Sequence, residues 1–314
     1  MPKLEILCVG EVLWDSLPSG LFLGGSPFNV ACHLRAAGYP VSMVSRVGTD
    51  RLGDEVLRRV AHYGVGTDLI QVDRSLPTGF VRVTIDDAGD STFDILSPAA
   101  WDAIAPDAEL LERAAGARAI VFGSLAQRNP VTRRTLDLLW DSEALMVFDV
   151  NLRPPHADKE IVRRSLEHAD VVKVNHLEMK TLASWFGLPA SGRDAAIALA
   201  ERFGSDVVCL TRGRRGAGLW RDGRWTEHPG FEVEVRDTVG AGDAFLAVLL
   251  AGLFTGTDSG ALLNNANLMG AYVATQFGAV PADQPAAAPP SWRSERRLRD
   301  VRNAVQSICP SDAA

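Results

Sequence analysis

Residues 236–245 read RDTVGAGDAF, a stretch that holds two glycines and two aspartates within ten residues. Before it, residues 231–235 alternate apolar and acidic side chains, which predicts a strand with one solvated face. After it, residues 244–254 form an almost unbroken apolar run, long enough for a buried helix. The glycines therefore belong to a turn between a predicted strand and a predicted helix. The first turn of a helix leaves backbone N–H groups unpaired, and together with the helix dipole these groups make a site for a phosphate.

Asp243 falls at the start of the same predicted helix, so its carboxylate lies beside the predicted anion site. Donors for a charged phosphate, next to a carboxylate that can take a proton from a hydroxyl, are what a phosphoryl transfer requires. The helix dipole favours an ionised Asp243 at neutral pH. The alternative is a tight turn in which Asp243 only caps the helix, and this stretch alone leaves both interpretations open.

Length and composition fit one large α/β domain or two modest ones. The 314 residues are 46% hydrophobic and 23% charged, with a formal net charge of −7. An acidic chain of ordinary composition argues against nucleic-acid or membrane-surface partners, so we expect small-molecule ligands only. The four cysteines show no metal-binding spacing, the first residues have no basic leader pattern, and no apolar run reaches about 18 residues. We therefore predict a cytoplasmic protein.

Strands and helices alternate along most of the chain, which predicts a parallel sheet built from βαβ units. The middle of the chain departs from this rhythm, because residues 78–85 and 91–95 read as two alternating strands around a Gly/Asp turn. Together with short strands near residues 12–23, this hairpin predicts a small separate sheet that could serve as a lid. We expect one domain over residues 1–280, with the lid drawn from about 11–24 and 77–100. Residues 281–314 are predicted to form a Pro/Ala-rich linker and a C-terminal helix packed on the body.

Polar residues follow several of the predicted strands, at the edge where open α/β sheets bind ligands. Each of these residues alone has a simple explanation as a cap or a turn residue, but so many at equivalent strand ends favour a site. Asn175 and Glu178 offer oxygen ligands for a hydrated Mg²⁺, although the same pair is typical of a helix N-cap with an exposed glutamate. The residues at these strand ends are Asp15, Asp149, Asn151, Arg153, Asn175, Glu178, Thr211, Arg212, Gly213, Arg214, Arg215 and Gly216.

Two common nucleotide motifs are absent from the sequence. Residues 48–53 have the glycine spacing of a P-loop, but Asp54 and Glu55 stand where Lys and Ser or Thr are required. Residues 240–245 lack the third glycine of a dinucleotide fingerprint, which disfavours a dinucleotide-dependent oxidoreductase.

From Gly10 to about Val280 the chain resembles the ribokinase-like (PfkB) family of carbohydrate kinases. Five motifs in family order carry the resemblance: G-G-x-x-x-N at 24–29, D-x-N-x-R at 149–153, N-x-x-E at 175–178, T-x-G-x-x-G at 211–216 and D-T-x-G-A-G-D-x-F at 237–245. The resemblance implies a three-layer α/β/α sandwich with a mostly parallel central sheet and a small β-sheet lid. It also implies a homodimer formed through the lid, whose strand edges invite pairing.

The same resemblance implies a role for each motif residue. Asp243 would be the general base, and Gly240, Ala241 and Gly242 would form the anion hole for the γ-phosphate of ATP. Glu178 would hold Mg²⁺ through water, and Asp237 would contribute to a K⁺ site unless it only caps its turn. The implied sugar ligands are Asp15, Gly24, Gly25, Asn29 and Arg153; the implied nucleotide-binding residues are Asn175, Thr211, Gly213, Gly216, Gly240, Gly242 and Asn267.

Four stretches, residues 10–15, 25–29, 97–102 and 148–155, look most like those of bacterial fructokinases. Ribokinases tend to carry Lys-Gly where this chain has Ser26-Pro27, and a 2-keto-3-deoxygluconate kinase would want a lid Tyr and Arg. The three tyrosines fall outside the hairpin, while Arg82 leaves that option open. The sequence therefore predicts a fructokinase that phosphorylates a hydroxymethyl group of a ketohexose. The alternatives are a 2-keto-3-deoxygluconate kinase, a ribokinase, or a catalytically silent sugar sensor, which the retained Asp243 and glycines disfavour.

Overall fold

Thirteen strands and nine α-helices make up the part of the chain that the computed structural model describes, residues 5–17, 20–85 and 91–280. The predicted linker and C-terminal helix at 281–314 lie outside these residues. The strands are β1 (Ile6–Val9), β2 (Leu13–Leu17), β3 (Gly20–Gly24), β4 (Val41–Gly48), β5 (Ile70–Asp73), β6 (Gly79–Ile85), β7 (Ser91–Ile95), β8 (Ala119–Gly123), β9 (Leu145–Asp149), β10 (Val171–Asn175), β11 (Val207–Thr211), β12 (Ala217–Arg221) and β13 (Arg224–His228). The helices are α1 (Ser26–Ala36), α2 (Arg51–His62), α3 (Ala108–Gly116), α4 (Pro130–Leu139), α5 (Lys159–His168), α6 (His176–Phe186), α7 (Gly192–Phe203), α8 (Ala241–Phe254) and α9 (Ser259–Ala274).

The central sheet has nine strands in the order β13-β12-β11-β10-β9-β8-β1-β4-β5. The seven strands from β11 to β5 run parallel, and the β12–β13 hairpin adds an antiparallel edge. Alternate residues of β1 show why the sheet is covered on both faces: Ile6 and Cys8 pack into one core with α1, α2, α8 and α9, and Leu7 and Val9 into another with α3 to α7. The predicted three-layer α/β/α sandwich is confirmed.

A second, four-stranded sheet stands apart in the order β3-β2-β6-β7. Both hairpins are antiparallel, and β2 and β6 join them in parallel, so that Asp15 faces Phe22 on one side and Val81 on the other. The predicted small sheet is therefore present, and it carries one of the predicted sugar ligands. Its movement as a lid stays a prediction.

The prediction of a strand at residues 231–235 is wrong. The segment forms no sheet pairing; instead Phe231 and Val233 pack on α9. Beyond it, the N–H groups of Arg236 and Asp237 both donate to the carbonyl of Ala274, at 2.9 and 3.3 Å. An alternating pattern of apolar and polar residues indicates only that one face of the segment is buried. Here a helix rather than a neighbouring strand covers that face. The glycine turn therefore follows a loop rather than a strand.

None of the described helices is both long enough and apolar enough to cross a bilayer.

Candidate active site

Asp243 lies in the first turn of α8, and two side chains from the first turn of α1 hold both of its carboxylate oxygens. The Ser26 hydroxyl donates to Oδ1 at 2.7 Å, and the Asn29 Nδ2 donates to Oδ2 at 2.8 Å. These partners are 217 and 214 residues away in the chain, and the packing of α1 on α8 brings them together. The carboxylate is therefore fixed in direction, as a general base must be.

The surroundings of Asp243 change its acidity in a direction that the helix dipole alone does not predict. Burial raises the pKa of Asp243 and the nearby Asp149 raises it further, while Lys173 and the hydrogen bonds from Asn29 and Ser26 oppose the rise. The net pKa is raised above the ordinary value of an aspartate. A carboxylate with a raised pKa accepts a proton more readily, which strengthens its candidacy as a base.

The glycine turn before Asp243 presents an open helix N-terminus. Gly240 takes a left-handed backbone conformation, with φ of 75°, and α8 begins at the next residue. Among the described residues, no side chain caps this helix. Of its first-turn N–H groups, that of Ala241 donates to the Thr238 carbonyl at 3.3 Å, which leaves those of Gly242 and Asp243 for an anion.

Replacing Gly240 by Ala is expected to destabilise the protein more than the same change at Gly256. Both residues have positive φ, and Ala in this region costs about 1–2 kcal/mol. A Cβ on Gly240 would also lie 2.4 Å from the Cβ of Ala279, whereas a Cβ on Gly256 meets no described atom within 4 Å. Urea unfolding of the two variants isolates this contact, and equal losses of stability would show that the Ala279 packing does not matter.

Lys173 lies beneath the same turn, and it is a site residue that the motifs did not identify. Its Nζ donates to both oxygens of Asp149, at 2.9 and 2.8 Å, from the neighbouring position of the adjacent strand. The same Nζ is 3.3 Å from the place that a Cβ on Gly242 would occupy. Burial disfavours the charged ammonium, but Asp149, Glu178 and Asp243 together raise the pKa of Lys173. A buried positive charge is thus present next to the predicted anion hole.

The sequence did contain a signal for Lys173. Residues 171–175 read VVKVN, in which a lysine interrupts a strand that is otherwise buried on both faces. A charge in such a position requires a partner, and the strand order places Asp149 beside it.

The predicted sugar ligands on the small sheet and on the turn that follows it lie close to one another. The carboxylate of Asp15 lies over Gly24, since a Cβ there would be 2.5 Å from Asp15 Oδ2. Gly25 has φ of 111° and approaches the main chain of Glu11 too closely for any side chain. Burial raises the pKa of Asp15, and the charge of the exposed Arg153 opposes that rise.

The contacts of Asn29 differ from those expected for a sugar ligand. Its Nδ2 is engaged by Asp243, and its Oδ1 is buried without a hydrogen-bond partner in the described part of the chain. The structure therefore gives Asn29 a contact that orients Asp243, and direct contact with a sugar stays a prediction.

Asn175 and Glu178 form a reciprocal helix cap at the start of α6. Asn175 Oδ1 accepts from the N–H groups of Leu177 and Glu178, both at 2.9 Å, and Glu178 Oε2 accepts from the N–H of Asn175 at 2.8 Å. The other oxygen of Glu178 accepts from the Leu152 N–H at 3.1 Å, which ties residues 149–153 to α6. Glu178 is buried rather than exposed, unlike an ordinary capping glutamate.

The remaining predicted nucleotide residues are distributed over three elements. Thr211 ends β11 directly beside Asn175, and residues 213–215 form a short 3₁₀ turn before Gly216. Asn267 lies on α9 with its Nδ2 bonded to the Leu263 carbonyl at 2.7 Å. The structure places Thr211 and Asn175 at one sheet edge, and it shows no contact that assigns Asn267 to a nucleotide.

Asp237 is occupied as a turn cap. Its two carboxylate oxygens accept from the N–H groups of Val239 and Gly278, at 3.0 and 3.1 Å. Within the described ranges, no cluster of three or more His, Cys, Asp or Glu side chains could hold a metal ion.

Comparison with known proteins agrees with this geometry. Residues 20–287 match the model of the pfkB family carbohydrate kinases. The chain is 28% identical over 266 residues to a fructokinase of Klebsiella pneumoniae, which covers 79% of this chain and 84% of that protein. It superposes with a TM-score of 0.77 on the ATP-bound fructokinase of Xylella fastidiosa, at 25% identity over 96% of this chain and 98% of the other. An uncharacterized sugar kinase of Pyrococcus horikoshii in complex with ATP gives the same TM-score at 26% identity, over 94% and 99% of the two chains. The chain belongs to the pfkB family of carbohydrate kinases and is a fructokinase-like phosphotransferase with an alcohol group as acceptor.

Proposed function

We propose that the protein transfers the γ-phosphate of ATP to a hydroxymethyl group of fructose. The observation that carries the reaction is the Asp243 carboxylate, held by two donors beside an uncapped, glycine-rich helix start. The choice of fructose is supported by the similarity to fructokinases and by Ser26, which occupies the turn where ribokinases tend to carry a lysine.

Several residues of the candidate site would each contribute to the phosphoryl transfer. The N–H groups of Gly242 and Asp243 would bind the γ-phosphate oxygens, and Lys173 would add positive charge from below. Asp243 would accept the proton of the attacking hydroxyl as the bond to phosphorus forms. The Glu178 carboxylate suits a hydrated Mg²⁺, which would neutralise phosphate charge, because each of its oxygens keeps a further lone pair for a metal-bound water. Asn175 would hold Glu178 in place, since its own Oδ1 already accepts two N–H groups.

Asp15 connects the small sheet to this chemistry. Because it lies on β2, a movement of the small sheet toward the body would carry a sugar ligand with it and exclude water from the phosphate. The edge strand β3 exposes Leu21 and Phe22, and we propose this edge for the lid-to-lid dimer. Each carboxylate oxygen of Asp237 accepts one amide hydrogen bond and keeps a further lone pair, so a K⁺ site at this turn would combine Asp237 with backbone oxygens.

The substrate assignment is tested by measuring ADP release with ATP and Mg²⁺ against fructose, ribose, 2-keto-3-deoxygluconate, tagatose and adenosine. We expect the highest kcat/KM with fructose. Preference for another sugar would overturn the substrate and keep the kinase assignment, whereas sugar binding without ADP release would support a sensor.

Sugar binding is expected to weaken in mild acid because Asp15 loses its charge there. Burial raises the pKa of Asp15 to about 6, with Arg153 opposing the shift. Below that pH the carboxylate is protonated and accepts hydrogen bonds from sugar hydroxyls less well. The KM for fructose should therefore rise about tenfold between pH 7 and pH 5, in proportion to the lost ionised fraction.

The Asp15→Asn variant should have a high KM that no longer depends on pH in this range. Asp94→Asn is the matched control, because Asp94 is an exposed carboxylate of the same small sheet, paired with Arg82. An unchanged pH dependence in Asp15→Asn would assign the effect to another group.

A further inference from the structure

Glu11 is a buried carboxyl that the proposed reaction does not use. It follows β1 directly, and only 3% of the residue is exposed. Its main-chain oxygen would lie 2.3 Å from a Cβ on Gly25, so Glu11 lies directly behind the sugar-binding turn. One carboxyl oxygen, Oε2, is buried with no hydrogen-bond partner in the described ranges. A buried polar atom without a hydrogen-bond partner costs stability, so a functional reason for Glu11 is expected.

Ser26 lies between Glu11 and the base. Its backbone N–H faces the Glu11 carboxyl and favours the ionised form, while its hydroxyl donates to Asp243 Oδ1 at 2.7 Å. A displacement of the Glu11 side chain would therefore reach the Asp243 carboxylate through one residue. The Asp243 charge also raises the pKa of Glu11 directly.

We propose that Glu11 is a positioning residue of the kinase: its carboxyl supports the turn at residues 24–29 from behind and, through Ser26, aims Asp243. The proposal rests on the proposed function, because it concerns the base of that reaction.

The protonation state of Glu11 follows from its neighbours. Burial raises its pKa to about 7, and the Asp243 charge adds to the rise. Arg153, across the site, and the backbone N–H groups of Glu11 and Ser26 act in the opposite direction. Below about pH 7 Glu11 therefore carries its proton, and we expect it to act in this neutral form.

The activity test compares Glu11→Ala with Glu11→Gln. The Ala variant removes the support and should lower kcat about 100-fold, the usual cost of a small misplacement of a catalytic group. The Gln variant keeps the shape of the neutral acid and should restore kcat close to the wild-type value. The wild-type kcat should fall as the pH rises above about 7, when Glu11 ionises, and this fall should be absent in Glu11→Gln.

A double-mutant cycle tests the route through Ser26. If Glu11 acts through Ser26, then the losses of kcat in Glu11→Ala and Ser26→Ala should not multiply in the double variant. Multiplying losses, or a Gln variant as inactive as the Ala variant, would overturn the proposal.

Thermal unfolding supplies a readout that does not need activity. A group whose pKa is raised on folding binds more protons in the folded state, so its contribution to stability falls as the pH rises from about 4.5 toward 7. The Tm of Glu11→Gln should therefore gain on the wild type over this interval. No relative gain would show that the folded protein does not hold the Glu11 proton, which also overturns the neutral-acid role.

Glu5→Gln is the matched control, because Glu5 directly precedes β1 and Glu11 comes just after the other end of that strand. Burial works against ionisation of Glu5, but hydrogen bonds from Arg113 and Ser42 lower its pKa overall. Its contribution to stability is present above about pH 4.5 and is lost in acid, so Glu5→Gln should lose Tm relative to the wild type as the pH rises, with kcat unchanged. If the wild type phosphorylates no sugar, then the proposed function fails, while the Tm comparison still decides the state of Glu11.

Discussion

Replacing Asp243 by Asn is expected to lower kcat by about 1000-fold, the middle of the range that a general base contributes. Asn has nearly the same shape and can still accept a hydrogen bond from Ser26 through its remaining oxygen. It cannot take a proton from the sugar hydroxyl. Because the base acts mainly in the transition state, the KM for sugar should change little in a steady-state assay.

Asp258→Asn is the control for this prediction. Asp258 is also a carboxylate at a helix N-terminus, where it accepts from the N–H groups of Gly260 and Ala261. The control should lose a little stability and no activity. If Asp243→Asn turned over sugar as fast as Asp258→Asn, then Asp243 would be a helix cap and the base would have to be another group.

Replacing Lys173 by Met is expected to destabilise the folded protein by about 3–5 kcal/mol, as observed when one partner of a buried ion pair is removed. The side chains of Lys173 and Asp149 are only 8% and 4% exposed, so Asp149 would be left buried and without its countercharge. The same change removes the positive charge beneath Gly242 and should lower kcat as well. Urea unfolding measures the first effect and ADP release the second.

The double variant Lys173→Met/Asp149→Asn separates the two effects. It no longer buries an unpaired charge, so it should recover much of the stability and none of the activity. Lys180→Met, on the exposed surface of α6, should leave both quantities unchanged. A double variant no more stable than Lys173→Met alone would show that the ion pair does not account for the loss.

The alternation of strands and helices was sufficient to predict the layered fold. Apolar segments such as 119–122 and 207–210 are buried on both faces, and only a parallel sheet between two layers of helices accommodates several of them. The strand predicted at 231–235 failed because its pattern does not say which element covers the buried face. The strand β5 and the helix α3 were not predicted, and both are short, with four and nine residues.

The candidate site could be predicted where the residue spacing within a short motif defines the local geometry. The glycine turn and Asp243 are such a case, because spacing within ten residues defines a helix start. The contacts from Ser26 and Asn29 to Asp243 span more than 200 residues and depend on how α1 packs on α8. The raised pKa of Asp243 likewise depends on burial and on Asp149, neither of which a helix-dipole argument includes.

The transfer of a labelled γ-phosphate from ATP to fructose tests the central claim most directly. With Mg²⁺ and the wild-type protein, we expect the label to appear in a sugar phosphate, and with Asp243→Asn the rate of its appearance should fall about 1000-fold. Label that remains in ATP, or that is released only as inorganic phosphate in the presence of fructose, would contradict the account.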